Sequence, residues 1–394
     1  MLISEILDPL IQNFIIEKTG SDISKLSFQK NPFPSIDYKI ILNQIESRTK
    51  SKLKLPTWFN TINIIYPSKI SIEQTSSEIS AKYKSTLVCG DSLIDLTGGF
   101  GVDDYYFAKK MKSVLHCEIN TELSEIVAHN FKCLGIINTI FLAEDSLDLL
   151  IKLNNKYDWI YIDPSRRNDA KGKVFILKDC SPNVPELLET YLQFSNNILI
   201  KTAPILDITA GLSELKFVKN IHIVAIENDV KELLWEIENN YRDEITIKTI
   251  NSNKNKEEIF DFKLNSKAIP NYSFPKKYLY EPNSAIMKSG GFSEIGNAFS
   301  LEKLHQHSHL YTSDQLVDFP GRIFEINHQF DYTNGNMKSY CKNEKANITT
   351  RNFPETVEKI RKKWNIKVGG NLFSFFTTNI NESKIVLLCT KINL

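Results

Sequence analysis

No stretch of this 394-residue chain approaches the roughly 18–20 consecutive apolar residues needed to cross a bilayer, so no membrane partner is expected. No Lys or Arg precedes Lys18, so the start lacks the basic region of a secretory leader, and a cytoplasmic protein is expected. Its apolar residues Leu2, Ile3, Ile6, Leu7, Leu10, Ile11 and Phe14 recur at helical spacing instead. Cysteine is sparse and scattered (Cys89, Cys117, Cys133, Cys180, Cys341 and Cys389), and no CxxC pair occurs. That pattern argues against a disulfide framework or a metal scaffold and for reduced thiols. No excess of either charge exists, with 48 Lys+Arg against 47 Asp+Glu and a net charge of +1. A uniformly basic nucleic-acid binder is thereby excluded, although a local basic face is not.

What is present is ordinary for a globular protein: 42% hydrophobic and 24% charged residues, enough for several domains with real cores. Residues 1–85 read as a helical region punctuated by Pro32, Pro34, Pro56 and Pro67. From 86 to 270, short apolar runs alternate with amphipathic helical segments, the pattern of an α/β domain with a parallel sheet. The expected strands are Leu93–Leu96, Val114–Glu118, Thr139–Leu142, Trp159–Asp163, Ile198–Lys201, Ile221–Ile226 and Ile245–Ile250, with Lys231–Asn239 helical between the last two. Residues 271–320 read as a small mixed module and 321–394 as an α+β unit. There is no internal repeat, and no obligate protein partner is evident. Residues 321–394 carry 12 basic and 6 acidic side chains, a local +6 that leaves −5 for the rest. Arg351, Arg361, Lys362 and Lys363 in this unit are the expected phosphate contacts.

The strongest signal is Asp95-Leu96-Thr97-Gly98-Gly99-Phe100-Gly101-Val102-Asp103, where a strand turns through glycines into a helix over Tyr105–Met111. The backbone must turn tightly there and meet a ligand without an intervening Cβ. A dinucleotide loop requires G-x-G-x-x-G, but the third position here is Asp104, which counts against NAD or FAD. An acid closing the first strand suits S-adenosylmethionine (SAM), which carries an ammonium and a sulfonium and no pyrophosphate. Glu118, 23 residues after Asp95, can accept from both ribose hydroxyls, and Asp145, beside Ser146, from the adenine amino group. Four strand ends in order place one ligand along the carboxyl edge of the sheet.

Together Asp95 to Gly101, Glu118, Asp145 and Asp163-Pro164 resemble the class I SAM-dependent methyltransferases. More of the chain resembles a bacterial subgroup in which that domain precedes a ferredoxin-like module and a C-terminal THUMP-like domain. The carrying stretches are Lys54 to Trp58, Ser71 to Glu78, Asp95 to Asp103, Asp163 to Arg167 and Lys201 to Pro204, then Tyr280 to Asn283, Asp318 to Arg322 and Arg351 to Pro354. The resemblance implies a Rossmann-like seven-stranded sheet whose last strand, Ile245–Ile250, is antiparallel. It implies SAM held by Asp95, Thr97, Gly99, Gly101, Glu118, Asp145 and Ser146, and RNA positioned by the C-terminal unit.

The fourth strand ends in Asp163-Pro164-Ser165-Arg166-Arg167. Base-nitrogen methyltransferases often follow such an Asp-Pro with a stacking aromatic, which is missing here. Asp163 is the expected contact near the transferring methyl. Arg166 and Arg167 suit a phosphate or carboxylate on the substrate, or else order the loop. His305, His307 and His309 alternate without an evident fourth ligand, so no metal is expected. Ser76-Ser77-Glu78 and Lys82-Tyr83-Lys84 either cap the cofactor pocket or start a helix. The leading expectation is a SAM-dependent methyltransferase acting on RNA. A methyltransferase for a small anionic substrate, or a non-catalytic SAM- or RNA-binding protein, is the alternative.

Overall fold

Asp8 accepts from the backbone N–H groups of Leu10 and Ile11 and is followed by Pro9, and this cap breaks the N-terminal periodicity into two helices, Ile3–Ile6 and Pro9–Glu17. A computed structural model describes residues 3–67, 69–166, 176–254 and 256–393. The chain divides into two units, Met1–Lys219 with Leu233–Arg242, and Asn220–Glu232 with Asp243–Leu394. No described helix is long and apolar enough to cross a membrane.

In the first unit the N-terminal region is helical, with α1 (Tyr38–Lys54) and α2 (Glu78–Leu87) as its longer members. The α/β part alternates β1 (Ser92–Asp95), α3 (Val102–Ala108), β2 (Ser113–Cys117), α4 (Thr121–Cys133), β3 (Thr139–Leu142), α5 (Ser146–Leu153) and β4 (Trp159–Ile162). It continues through β5 (Asn197–Thr202) and α6 (Ile208–Glu214). β1 lies between β2 and β4, all three parallel. β3 joins β2 and β5 joins β4, also in parallel. The N-terminal region buries Ile41, Ile45, Trp58 and Tyr66 against Phe100, Tyr105, Val127 and Phe131. Asn130 locks that packing, accepting from Ile65 N–H at 2.9 Å and donating to Ile65 C=O at 2.8 Å.

The antiparallel strand is not where the resemblance implies it. Lys231–Asn239, expected as a helix, is strand as far as Glu238, in β7 (Asp229–Glu238), which runs antiparallel to β5 with Asn197 opposite Glu238. Its Lys-Glu-Leu-Leu-Trp-Glu run favours a helix locally, but Leu233, Leu234, Trp235 and Ile237 are fully buried. Sheet burial overrides that weak preference. Trp235 Nε1 donates to Thr202 Oγ1 at 3.0 Å, and its ring lies against Gly211 of α6, where a Cβ would come within 2.3 Å. β6 (Val218–Ile226) reaches β7 through Glu227 and Asn228, both at positive φ, as a two-residue hairpin turn demands.

In the second unit the expected antiparallel Ile245–Ile250 overlaps β8 (Thr246–Ser252), which runs parallel to β6. β9 (Glu257–Lys263) pairs antiparallel with β8. An eight-stranded sheet follows, built from β10 (Tyr278–Pro282), β11 (Glu302–Lys303), β12 (Tyr311–Ser313), β13 (Gly321–Asp331), β14 (Lys345–Arg351), β15 (Lys367–Val368), β16 (Leu372–Thr378) and β17 (Lys384–Ile392). Its order is β11-β12-β10-β13-β17-β16-β14-β15. Helices Asn334–Tyr340 and α7 (Val357–Trp364) supply Met337, Ile360 and Trp364 to a core with Phe376, Val386 and Leu388.

Candidate functional site

The carboxyl ends of β1 and β4 face the point where the strand order reverses, the usual ligand position in open α/β sheets. Asp95 ends β1 and is 2% exposed. Its Oδ1 accepts from Thr97 N–H at 2.7 Å and from Thr97 Oγ1 at 3.1 Å. Thr97 Oγ1 in turn accepts from Asp163 N–H at 2.7 Å, tying the ends of β1 and β4 together. Burial, and then the neighbouring Asp104 charge, push Asp95 well above the ordinary carboxylate range.

The three glycines of the loop answer different demands. A Cβ on Gly98 would lie 2.2 Å from His116 Cε1, and one on Gly101 would lie 2.7 Å from Val127 Cγ1, so both are pressed against the protein. Gly99 has φ +54 and only Thr97 O, at 3.7 Å, near its missing Cβ. That glycine presents backbone to open space. Gly98→Ala is therefore expected to lower unit stability by about 1–3 kcal/mol through overpacking, measurable as a reduced unfolding midpoint with or without ligand.

Glu118, half-buried beyond the end of β2, accepts from Gly99 N–H at 3.0 Å through Oε2 and from Asn120 N–H at 2.8 Å through Oε1. Each carboxylate oxygen keeps a second acceptor site. Asp145 is exposed and caps α5, its Oδ1 accepting from Leu147 and Asp148 N–H, and Ser146 opens that helix. Asp163, with a side chain 36% exposed, forms an ion pair with Lys201 of β5. Ser165–Arg166 pairs antiparallel with Cys180–Ser181. The Arg166 side chain and the whole of Arg167 lie outside the described residues.

Two buried groups lie beneath the loop, and in the first the sequence singled out Ser76 and Lys84 but not their pairing with Asp103. Asp103 Oδ1 meets Lys84 Nζ at 2.8 Å, while its Oδ2 accepts from Ser76 Oγ at 2.8 Å and Tyr161 OH at 2.9 Å. Burial raises Asp103, but the Lys84 and Lys201 ammoniums outweigh it and hold the acid below its usual range. Lys84 and Ser76 thus support the loop, while Ser77 caps α2 and Glu78 accepts from Thr57 and Tyr106. The second group is Asp104 with His116, both fully buried, with Oδ2 2.6 Å from Nδ1. Only the pairing of Asp104 with a loop glycine position hinted at it.

The C-terminal basic residues are mostly engaged within their own unit. Arg351 donates to Glu281 Oε1 at 2.9 Å, and Arg322 grips Glu281 Oε2. Arg361 donates to the carbonyls of Ile366 and Ala346, and Lys363 pairs with Glu355 at 3.1 Å. Lys362 is exposed. His305 Nε2 lies 2.7 Å from Glu382 Oε1, and His309 stacks on Phe292. Burial, with Lys303 and Arg351, lowers His309 to about 4. Among the described residues no cluster suited to a metal occurs.

Family models match the second unit as a ferredoxin-like domain over residues 278–320 and a THUMP domain-like domain over residues 321–391. No curated protein matches the sequence. The crystal structure of a candidate methyltransferase from Porphyromonas gingivalis W83 matches at 29% identity over 99% of both chains, with a TM-score of 0.87. An rRNA methylase from Streptococcus thermophilus matches 41% of this chain and 94% of its own at 15% identity, with a TM-score of 0.30. TrmK from M. capricolum, in complex with S-adenosylhomocysteine, matches 41% and 68% at 20% identity, with a TM-score of 0.29. The chain shares the fold of the Porphyromonas gingivalis protein over nearly its whole length, an α/β sheet of methyltransferase type followed by ferredoxin-like and THUMP-like modules.

Proposed function

We propose that this protein is a SAM-dependent methyltransferase acting on RNA positioned by its THUMP-like unit. The observation that carries the cofactor part is Gly99, whose backbone faces open space while Glu118 lies against its N–H. A ribose diol would bind Glu118 there, Asp145 and Ser146 would border the adenine, and Asp95 and Thr97 would fix the loop. SAM supplies an electrophilic methyl on its sulfonium, and transfer demands mainly in-line positioning of the acceptor. Asp163, held by Lys201 and joined through Thr97 to the loop, is the group that orients the acceptor. Arg166 and Arg167 remain assigned to the substrate from sequence alone.

RNA as the substrate is supported by the likeness to THUMP domains and by unpaired lysines. Lys338, Lys342, Lys345, Lys359, Lys362 and Lys367 are exposed and form no ion pair among the described residues. Lys345 and Lys367 stand side by side in register on β14 and β15. Phosphate contact is thus assigned to these lysines and Lys362, whereas Arg351, Arg361 and Lys363 serve their own unit. Neutralising Lys342, Lys345 and Lys367 to Gln should reduce the salt slope of single-stranded RNA binding by about 2, read by fluorescence anisotropy. An unchanged slope would remove this surface from the proposal.

A further inference from the structure

Asp163 and Lys201 meet because their strands are in register. β4 and β5 run parallel with Ile162 opposite Ile200, so the next residue of each strand, Asp163 and Lys201, emerges on one face at the carboxyl edge. Both backbones are fixed there. Asp163 N–H donates to Thr97 Oγ1 at 2.7 Å, and Thr97 Oγ1 donates to Asp95 Oδ1 at 3.1 Å, which ties Asp163 to the cofactor loop. Lys201 lies opposite Leu234 of β7, and the following Thr202 accepts from Trp235 Nε1 at 3.0 Å. The Lys201 ammonium donates to Asp163 Oδ2, and its side chain is 13% exposed against 36% for the aspartate. The open end of the pair is thus the carboxylate, whose Oδ1 has no hydrogen-bond partner among the described residues.

A carboxylate oxygen only accepts hydrogen bonds, so the group it holds carries an N–H or an O–H. The timing of proton loss separates the two. A ribose hydroxyl is a poor nucleophile until it is ionised, and carboxylic acids ordinarily ionise near about pH 4, so a carboxylate is too weak a base to strip it first. Lys201 is an ammonium in the ion pair, a donor with no lone pair, and cannot be that base. A base amine attacks with its own lone pair and turns strongly acidic only once it has gained the methyl, when a carboxylate suffices. A pyrimidine carbon would need a thiolate added to the ring. Cys117 at the end of β2 and Cys180, opposite Arg166, are both buried.

We propose that the methyl acceptor is a base nitrogen that itself carries hydrogen, that Asp163 accepts that hydrogen, and that Lys201 is a positioning residue acting through Asp163. This rests on the RNA methyltransferase reading above. The nitrogen lone pair forms the bond to the methyl carbon as the carbon–sulfur bond breaks, and the pair of that bond stays on sulfur. The proton of the methylated, cationic nitrogen passes to Asp163 Oδ1 and from there to water. Lys201 holds Oδ2 throughout, so Oδ1 stays turned to the acceptor. Exocyclic amino groups meet this requirement. Ribose oxygens, pyrimidine carbons and ring nitrogens without hydrogen do not.

The test uses the full-length protein and the RNA fraction that it labels from tritiated SAM, digested to nucleosides whose methyl position is read by mass spectrometry. Methyl on an amino nitrogen supports the proposal. Methyl on a ribose oxygen, a carbon or a ring nitrogen without hydrogen overturns the acceptor class while RNA methylation stands. Lys201→Met should lower kcat about a hundredfold with the KM for SAM within about twofold, and Lys201→Arg should recover about a tenth of the wild-type kcat. In an Asp163→Asn background the same Lys201→Met change should cost less than about threefold, because a residue acting through Asp163 has nothing left to position. Full additivity overturns the positioning role. Should Lys201→Met not fold, Lys201→Gln gives the same comparison. In the ligand-free protein the Lys201 ammonium should give a slowly exchanging proton–nitrogen NMR signal that Asp163→Asn abolishes, and its persistence overturns the pair. SAM binding by calorimetry with no transfer to RNA overturns this proposal and the RNA reading together, but not the cofactor site.

Discussion

Glu118→Ala is expected to weaken SAM binding about a hundredfold while leaving the protein folded. The carboxylate holds Gly99 and Asn120 N–H groups at 3.0 and 2.8 Å, so its loss frees the loop backbone as well as the proposed ribose contact. Hydrogen bonds to a charged group contribute about 1.5–3 kcal/mol each. A combined loss of about 3 kcal/mol corresponds to the hundredfold change, since about 1.4 kcal/mol is tenfold. Glu118 is only half-buried, so its removal leaves no sealed cavity and the unfolding midpoint should move little. Glu118→Gln retains one acceptor oxygen and should fall between. Calorimetric titration reads the effect, and an Ala variant that binds like the wild type would remove Glu118 from the cofactor site.

Glu281→Ala should lower the stability of the second unit by about 3 kcal/mol, towards the smaller end for breaking a buried ion pair. Its side chain is 4% exposed and is gripped by Arg322 and Arg351, whose own side chains are 38% and 32% exposed. Water can reach the guanidiniums once the carboxylate is gone. The reverse removal, Arg322→Ala with Arg351→Ala, strands a buried carboxylate and should cost more. Denaturant unfolding of the three proteins gives the ranking, and equal effects would contradict it. The result also bears on function: Arg351 substitutions should impair RNA binding through stability, whereas the unpaired lysines should act through the salt slope.

The sequence displays the parallel part of the fold because each strand there is a short apolar run ending in chemistry. Asp95, Glu118, Asp145 and Asp163 follow such runs, and the glycine loop marks the turn. β7 is concealed because its residues favour a helix, and only burial among neighbouring strands makes Leu233 to Ile237 a strand. Partners distant in sequence were equally hidden: Lys201 lies 38 residues from Asp163, Lys84 lies 19 from Asp103, and Glu281 lies 70 from Arg351. The net charge of the C-terminal unit was countable, but which of its cations are consumed internally was not. Arg361 illustrates this, since its guanidinium is spent on carbonyls of its own unit.

Transfer of a tritiated methyl from SAM to fractionated RNA, protein extract and small metabolites tests RNA methylation most directly. Label is expected in an RNA fraction, dependent on Asp163 and strongly reduced with Glu118→Ala at a SAM concentration that just saturates the wild type. Label confined to protein or metabolites would contradict RNA as the acceptor, and no transfer to any fraction by a protein that binds SAM would contradict methyl transfer itself.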